Sequence, residues 1–296
     1  MTVQANPEQL GFIGVGVMGE PMCRHLATKT GLPVLVSDTN PEPVRRLAAE
    51  GAIEAAPDRL GAEADVIFLS LPSREALEAV LFGERGLYRH LKAGQTVVDL
   101  STTPYAYTLD MARRLQELGI VFADAPVMRT RAAAQAGKLS VPVGASAEAY
   151  ARIRPLIATF ASDIVHAGGI GAGQVAKLLN NMVLYETVLA LGEAYAIGRK
   201  VGVDTQRLFD ILSTGSADSF ALRNHGMKAI VPQAFPEKAF PVTYARKDIL
   251  YALELAEHAG VRASGARNLL ETFDAAIEQG YGGEYAPAIS KLFLEG

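Results

Sequence analysis

Over the first 166 positions apolar residues gather in short runs, and between the runs they recur every three or four positions. The runs "LGFIGV", "PVLVSD", "ADVIFLSLP", "QTVVDLS", "IVFADAPV", "LSVPVGA" and "DIVHAG" predict strands. The stretches "GEPMCRHLATKTG", "PEPVRRLAAEG", "SREALEAVLFG", "TPYAYTLDMARRLQELG" and "AEAYARIRPLIATFA" predict helices. Their ends carry the expected signals: Gly31 and Gly51 close two of them, Pro41 stands in a first turn, and Ser73 supplies a cap. Strands rich in Val, Ile and Leu that alternate with helices imply a parallel sheet covered on both faces.

From Gly171 to Gly202 the pattern changes, with no Pro and no strand-like alternation. "GQVAKLLNNMVLYETVLALGEAYAIGRKVG" predicts one helix of about 28 residues, roughly 42 Å long. Four more helical patterns follow: "DTQRLFDILSTG", "FALRNHGMKAIV", "VTYARKDILYALELAEHAG" and "SGARNLLETFDAAIEQG". This second part offers little obvious core for so long a helix. A homodimer or homotetramer is therefore expected, with "LYETVLALGEAYAIG" packed partly against a partner.

Composition narrows the classes. The 296 residues are 49% hydrophobic and 20% charged, an ordinary globular balance, and the net charge of -4 sets up no field for nucleic acid. The one cysteine, Cys23, cannot form an intrachain disulfide and is expected to fill apolar space on a helix. No metal-ligand cluster is evident. The polar start "MTVQANPEQL" has no signal-peptide pattern, and no apolar run approaches the ~20 residues of a membrane span. A cytoplasmic protein with no membrane partner is expected.

The first strand leads into Gly14-Val15-Gly16-Val17-Met18-Gly19, a G-x-G-x-x-G pattern that opens a helix. In that context it is a dinucleotide fingerprint. Gly14 permits the tight turn, Gly16 lets a pyrophosphate approach the backbone, Val17 and Met18 complete the turn, and Gly19 brings helix and strand together. The free amides of the helix start favour the phosphates. Asp38 ends the second strand, where a carboxylate accepts from ribose hydroxyls and repels a 2′-phosphate. NAD is thus favoured over NADP; the plain alternative is that Asp38 only caps the next helix. The fold class expected is α/β: an N-terminal doubly wound Rossmann-type dinucleotide-binding domain, residues 1–166, then an all-helical C-terminal domain, residues 167–296, entered by a long interdomain helix at about 171–200.

Four stretches in this order, "GFIGVGVMGEPM", "DAPV" with "AQAGKLSVPVG", "GAGQVAKLLNN" and "ARKDI", resemble the motifs of the β-hydroxyacid dehydrogenases, the 3-hydroxyisobutyrate dehydrogenase and tartronate semialdehyde reductase group within the 6-phosphogluconate dehydrogenase superfamily. The resemblance implies Lys177 as the catalytic residue with Asn181 beside it. It also implies Leu71, Pro72, Thr102 and Lys247 as cofactor contacts, and Phe240 as a pocket wall that is equally well explained as a core aromatic. The residues agree independently. Hydride transfer from an alcohol needs its proton removed, no His stands in a comparable motif, and a lysine with its pKa lowered by burial can serve. Lys177 and Asn181 are four apart, hence on one helix face, and they interrupt an otherwise apolar stretch. The decarboxylating relatives carry Glu where this chain has Leu184, which favours simple hydride transfer.

One departure stands out. The family usually has Ser-Gly-Gly after "DAPV", where hydroxyl and amides hold the substrate carboxylate; this chain has Met128-Arg129-Thr130. Met128 narrows the pocket, Thr130 adds a hydroxyl, and Arg129 offers a planar fork suited to an oxyanion. Its plain alternative is a surface salt bridge. Arg131 is expected to be solvated. The function expected is NAD(H)-dependent interconversion of a small anionic 3-hydroxy acid and its semialdehyde or keto form. Sulfolactaldehyde reduction and dehydrogenation of a β-hydroxy amino acid such as threonine or serine are the near alternatives. Reduction of bulky imines is disfavoured by Lys177, and a non-catalytic NAD-binding protein is the alternative of a different class.

Overall fold

The fold is known from a computed structural model, which describes residues 8–237 and 239–294. Its first part is one sheet of eight strands: β1 (Leu10–Ile13), β2 (Val34–Ser37), β3 (Ile53–Glu54), β4 (Val66–Leu69), β5 (Thr96–Asp99), β6 (Val121–Asp124), β7 (Leu139–Gly144) and β8 (Ala161–Gly168). They lie in the order β3-β2-β1-β4-β5-β6-β7-β8. Among the described residues seven α-helices belong to this part: α1 (Gly19–Lys29), α2 (Pro41–Ala49), α3 (Pro57–Glu63), α4 (Arg74–Phe82), α5 (Tyr105–Glu117), α6 (Arg131–Gln135) and α7 (Ala147–Ile157).

Alternation along each strand feeds two cores. Leu10 and Phe12 of β1, Val66 and Phe68 of β4 and Val98 of β5 pack with Met22, Cys23 and Leu26 of α1 and with Ile153 and Ile157 of α7. Ile13, Ile67, Leu69 and Val97 face the other way, towards Leu60 of α3, Leu77 and Leu81 of α4 and Met111 and Leu115 of α5. A strand turns successive side chains to opposite faces, so both faces must be apolar when helices cover both. Cys23 is fully buried, and burial pushes its thiol up to about 12.

Most of the sheet is parallel, as expected, but β6 and β7 pair antiparallel. After Asp124 the chain makes no crossover to the far edge. It turns back through 125–138, with only the short α6, from the same edge at which β6 ends. A parallel connection needs a helix-length crossover over one face. Sequence patterning also passed over β3, α3 and α6, which are all short.

The chain divides into two compact units between Lys177 and Leu178. The long helix expected at about 171–200 is α8 (Ala172–Lys200), which runs across that division. The second unit is helical: most of α8, then α9 (Thr205–Leu212), α10 (Val242–His258), α11 (Ser264–Glu278) and two tighter or wider helical segments. One of these, Leu222–Ile230, within the helical pattern "FALRNHGMKAIV", is π-helical. Tyr185, Leu191, Phe209, Ile249, Leu269, Phe273 and Ile289 centre its core. The architecture is thus a Rossmann-like α/β domain followed by a helical region.

Candidate active site

Ile13, Ser37, Leu69, Asp99 and Asp124 lie level with one another across five parallel strands. The residues that follow each of them therefore leave a common carboxyl edge, where open α/β sheets bind ligands. Gly14, Asp38, Leu71, Pro72 and Thr102 are all brought to this edge by the register.

The glycine turn meets the demands of a dinucleotide. Gly14 has φ 91° and its absent Cβ would sit 2.2 Å from the Ser70 carbonyl oxygen. A Cβ on Gly19 would lie 1.9 Å from the Gly14 carbonyl oxygen. At exposed Gly16 a Cβ would meet nothing within 4 Å, so the open side of the turn is free for a phosphate. Val17 is exposed, and Met18, at the N-cap of α1, offers no side-chain cap. The first amides of α1 therefore have no side chain of their own to bond.

Asp38 ties the turn to β2. Its Oδ2 accepts from the Val15 amide at 2.7 Å and its Oδ1 from the Asn40 amide at 2.7 Å. The cap of α2 is Asn40, whose side chain accepts from the Glu42 amide. Asp38 is thus no helix cap; its Oδ1 also accepts from the Thr39 hydroxyl at 3.5 Å, and its Oδ2 keeps a lone pair for a further donor. Leu71, half-buried, donates its amide to Ser101 Oγ at 2.9 Å, which joins the loops after β4 and β5; Pro72 is exposed and Thr102 half-buried.

Three buried residues that sequence patterning passed over anchor the start of α8. Asp124 accepts from the Gly171 amide (2.6 Å) and the Gln174 amide (2.8 Å). Gln174 accepts from the Thr103 amide at 3.2 Å and donates to the Ser101 carbonyl at 2.8 Å. Asp99, on the neighbouring strand, accepts from the Ser101 amide and the Thr103 hydroxyl. Burial raises Asp99 to about 7 and Asp124 to about 6, against the pull of these donors. Gly173 allows the approach, since a Cβ there would lie 2.7 Å from the Asp124 carbonyl oxygen. Lys177, half-buried, follows one helical turn later. The available signal was an acid ending each of two apolar strands, "VVDL" and "FADA".

In the turn after β6, Arg129 Nη1 donates to the Lys138 carbonyl (2.7 Å) and Ser162 Oγ (2.9 Å), and its Nη2 lies 2.7 Å from Asp163 Oδ2. This ion pair forms because β8 brings Asp163 alongside. Thr130 caps α6, accepting from the Ala133 amide, and half-buried Met128 pairs with Ser140 of β7. Arg131 is exposed.

In the second unit, buried Asn181 donates its Nδ2 to Asp248 Oδ2 at 2.6 Å. The Lys247 ammonium lies 3.4 Å from Asp248 Oδ1 and over the rings of Tyr244 and Tyr251. Asp248 thereby fixes the Asn181 amide, whose Oδ1 accepts from Asn180 Nδ2 at 3.1 Å. Phe240 stacks on Tyr185 at 6.2 Å and remains 39% exposed.

A phosphate-accepting turn and an amine on a helix anchored at the same sheet edge define the class: a nicotinamide-dinucleotide oxidoreductase. Residues 9–169 match the family described as the NAD binding domain of 6-phosphogluconate dehydrogenase, and residues 171–293 that described as NAD-binding of NADP-dependent 3-hydroxyisobutyrate dehydrogenase. The 2-(hydroxymethyl)glutarate dehydrogenase of Eubacterium barkeri is 32% identical, over 96% of this chain and 94% of its own length. The 2-hydroxy-3-oxopropionate reductase of Escherichia coli is 33% identical over 92% of each chain. The solved structure of the Mycobacterium tuberculosis 3-hydroxyisobutyrate dehydrogenase with L-serine superposes with a TM-score of 0.86 at 25% identity, covering 96% and 98% of the two chains. The chain belongs to the β-hydroxyacid dehydrogenase family, and it is an NAD(P)-dependent dehydrogenase or reductase acting on CH–OH groups.

Proposed function

We propose that the enzyme interconverts a small anionic 3-hydroxy acid and its semialdehyde or keto form, with NAD(H) preferred over NADP(H). The observation that carries this reading is the anchoring of Lys177: Asp124 and Gln174 tie the first turn of α8 to the sheet edge where the glycine turn opens. The amine of Lys177 takes the proton from the substrate hydroxyl in oxidation and returns one to the carbonyl oxygen in reduction. Asn181, one turn further along α8, orients the reacting oxygen, with Asp248 as its support. The Met128–Thr130 turn takes the acid group, and Phe240 walls the apolar part of the substrate. The bound nicotinamide accepts or supplies the hydride. Asp38, Leu71, Pro72 and Thr102 are the cofactor contacts beside the glycine turn, Lys247 is a further cofactor contact by the family resemblance, and the Asp38 carboxylate supports NAD because it would repel a 2′-phosphate.

A panel of 3-hydroxyisobutyrate, 2-(hydroxymethyl)glutarate, L-serine, L-threonate and sulfolactate with NAD or NADP, and of 2-hydroxy-3-oxopropionate with NADH or NADPH, followed at the nicotinamide absorbance, tests the reading. Turnover of at least one acid is expected, with kcat/KM at least about tenfold higher for NAD than for NADP. Lys177→Ala should lower kcat by about 10²–10⁴-fold while NADH affinity stays within about twofold. Inertness towards the whole panel with NADH still bound tightly would favour a binding protein instead.

We further propose a homodimer or homotetramer. Val183, Ala190 and Ile197 recur every seven residues along α8, and all three are exposed, Val183 by 60% and Ile197 by 64%. A second copy offering the same stripe is the partner of matching shape and polarity.

A further inference from the structure

Arg129 has φ 82°, in the left-handed region that glycine enters freely and other residues seldom do. Among the described residues other than glycine, Gln233 alone shares a positive φ. The segment that Arg129 opens is an excursion from the sheet. It is closed at its neck by the Met128 amide donating to the Ser140 carbonyl at 2.8 Å. Its far end reaches α1, where His25 Nε2 lies 3.2 Å from the Ala134 carbonyl oxygen and 3.1 Å from that of Gln135.

The Arg129 side chain forms a second closure, one residue further out. Its Nη1 donates to the carbonyl of Lys138, on the returning arm, and to Ser162 Oγ of β8. Its Nη2 pairs with Asp163 Oδ2, to which Ser162 Oγ also donates at 2.7 Å. Three acceptors on two separate strands of chain hold one guanidinium. The strained backbone and the side-chain fastening occur at the same residue, so the fastening offsets the strain.

We propose that Arg129 is a positioning residue: tethered through Asp163, it holds the Met128–Thr130 turn in a glycine-like backbone conformation and so shapes the seat of the substrate's acid group without its guanidinium touching the substrate. This rests on the reading of that turn as the substrate loop. Specificity for the acid then depends on Asp163, a residue on the edge strand that takes no part in the chemistry.

The test compares Asp163→Ala, Arg129→Ala and Arg129→Gly with the wild-type enzyme, measuring kcat and KM for the best acid of the panel and amide exchange over 129–138 without substrate. Asp163→Ala and Arg129→Ala should each raise KM about tenfold with kcat within about twofold, and speed exchange in the segment. Arg129→Gly should recover most of the KM loss of Arg129→Ala, because glycine adopts the turn without strain. Arg129→Gly as impaired as Arg129→Ala, with Asp163→Ala unimpaired, would show the guanidinium on the substrate and overturn the proposal. So would wild-type KM and wild-type exchange in all three variants. If the wild-type enzyme turns over no acid, the functional reading fails by itself, and the exchange measurement alone decides whether the tether exists.

Discussion

Gly16 and Gly19 stand three positions apart in one turn and answer to different demands. A Cβ at Gly19 would collide with the Gly14 carbonyl oxygen, whereas one at Gly16 points into open space. Gly16→Ala should therefore leave the thermal midpoint within about 2 °C of wild type while weakening NADH binding about tenfold or more, as calorimetry and titration would show. A matching loss of stability would mean that Gly16 serves the fold and not the ligand. Arg129 teaches the complementary lesson. Its type and place stood out in the sequence, but the direction of its side chain depended on Asp163, which only sheet formation brings near. Left-handed backbone costs a residue with a Cβ about 1–3 kcal/mol, and nothing local in "VMRTR" predicts that such a cost is met.

At the scale of elements, long periodic stretches were legible and short ones were not. α8 was predicted within a residue or two because its pattern persists over many turns, while β3, α3 and α6 are too short to show a period. What holds the start of α8 was also hidden, since Asp124 and Gln174 meet across 50 positions. The buried carboxyls Asp99 and Asp124 give this contact a pH dependence. Their folded values, about 7 and about 6, lie above the ~3.9 of an exposed Asp. The folded state then binds protons more tightly than the unfolded chain, so stability falls as pH rises from about 4 to about 7. Asp99→Asn removes its share, and its thermal midpoint should fall several degrees less than that of wild type between about pH 5 and about pH 8. Equal slopes in the two proteins would show that Asp99 is ionised throughout.

At the scale of the whole molecule, the exposed apolar stripe of α8 carries the expectation of self-association. Ile197→Glu places a charge in that stripe and should turn an oligomer into a monomer at micromolar concentration, read by light scattering, with the helical signal intact. A wild-type monomer under the same conditions would remove this proposal while leaving the enzyme's chemistry as it stands. By itself the sequence determined the α/β and helical parts of the chain, the alternation of strands and helices and the glycine turn, because these are written in local periodicity and in motifs of fixed spacing. Only the tertiary structure decided the antiparallel return of β7, the buried acids beneath α8 and the partner of Arg129. Each of these joins residues far apart in the chain, and burial, backbone strain and ion pairing take their values from such neighbours.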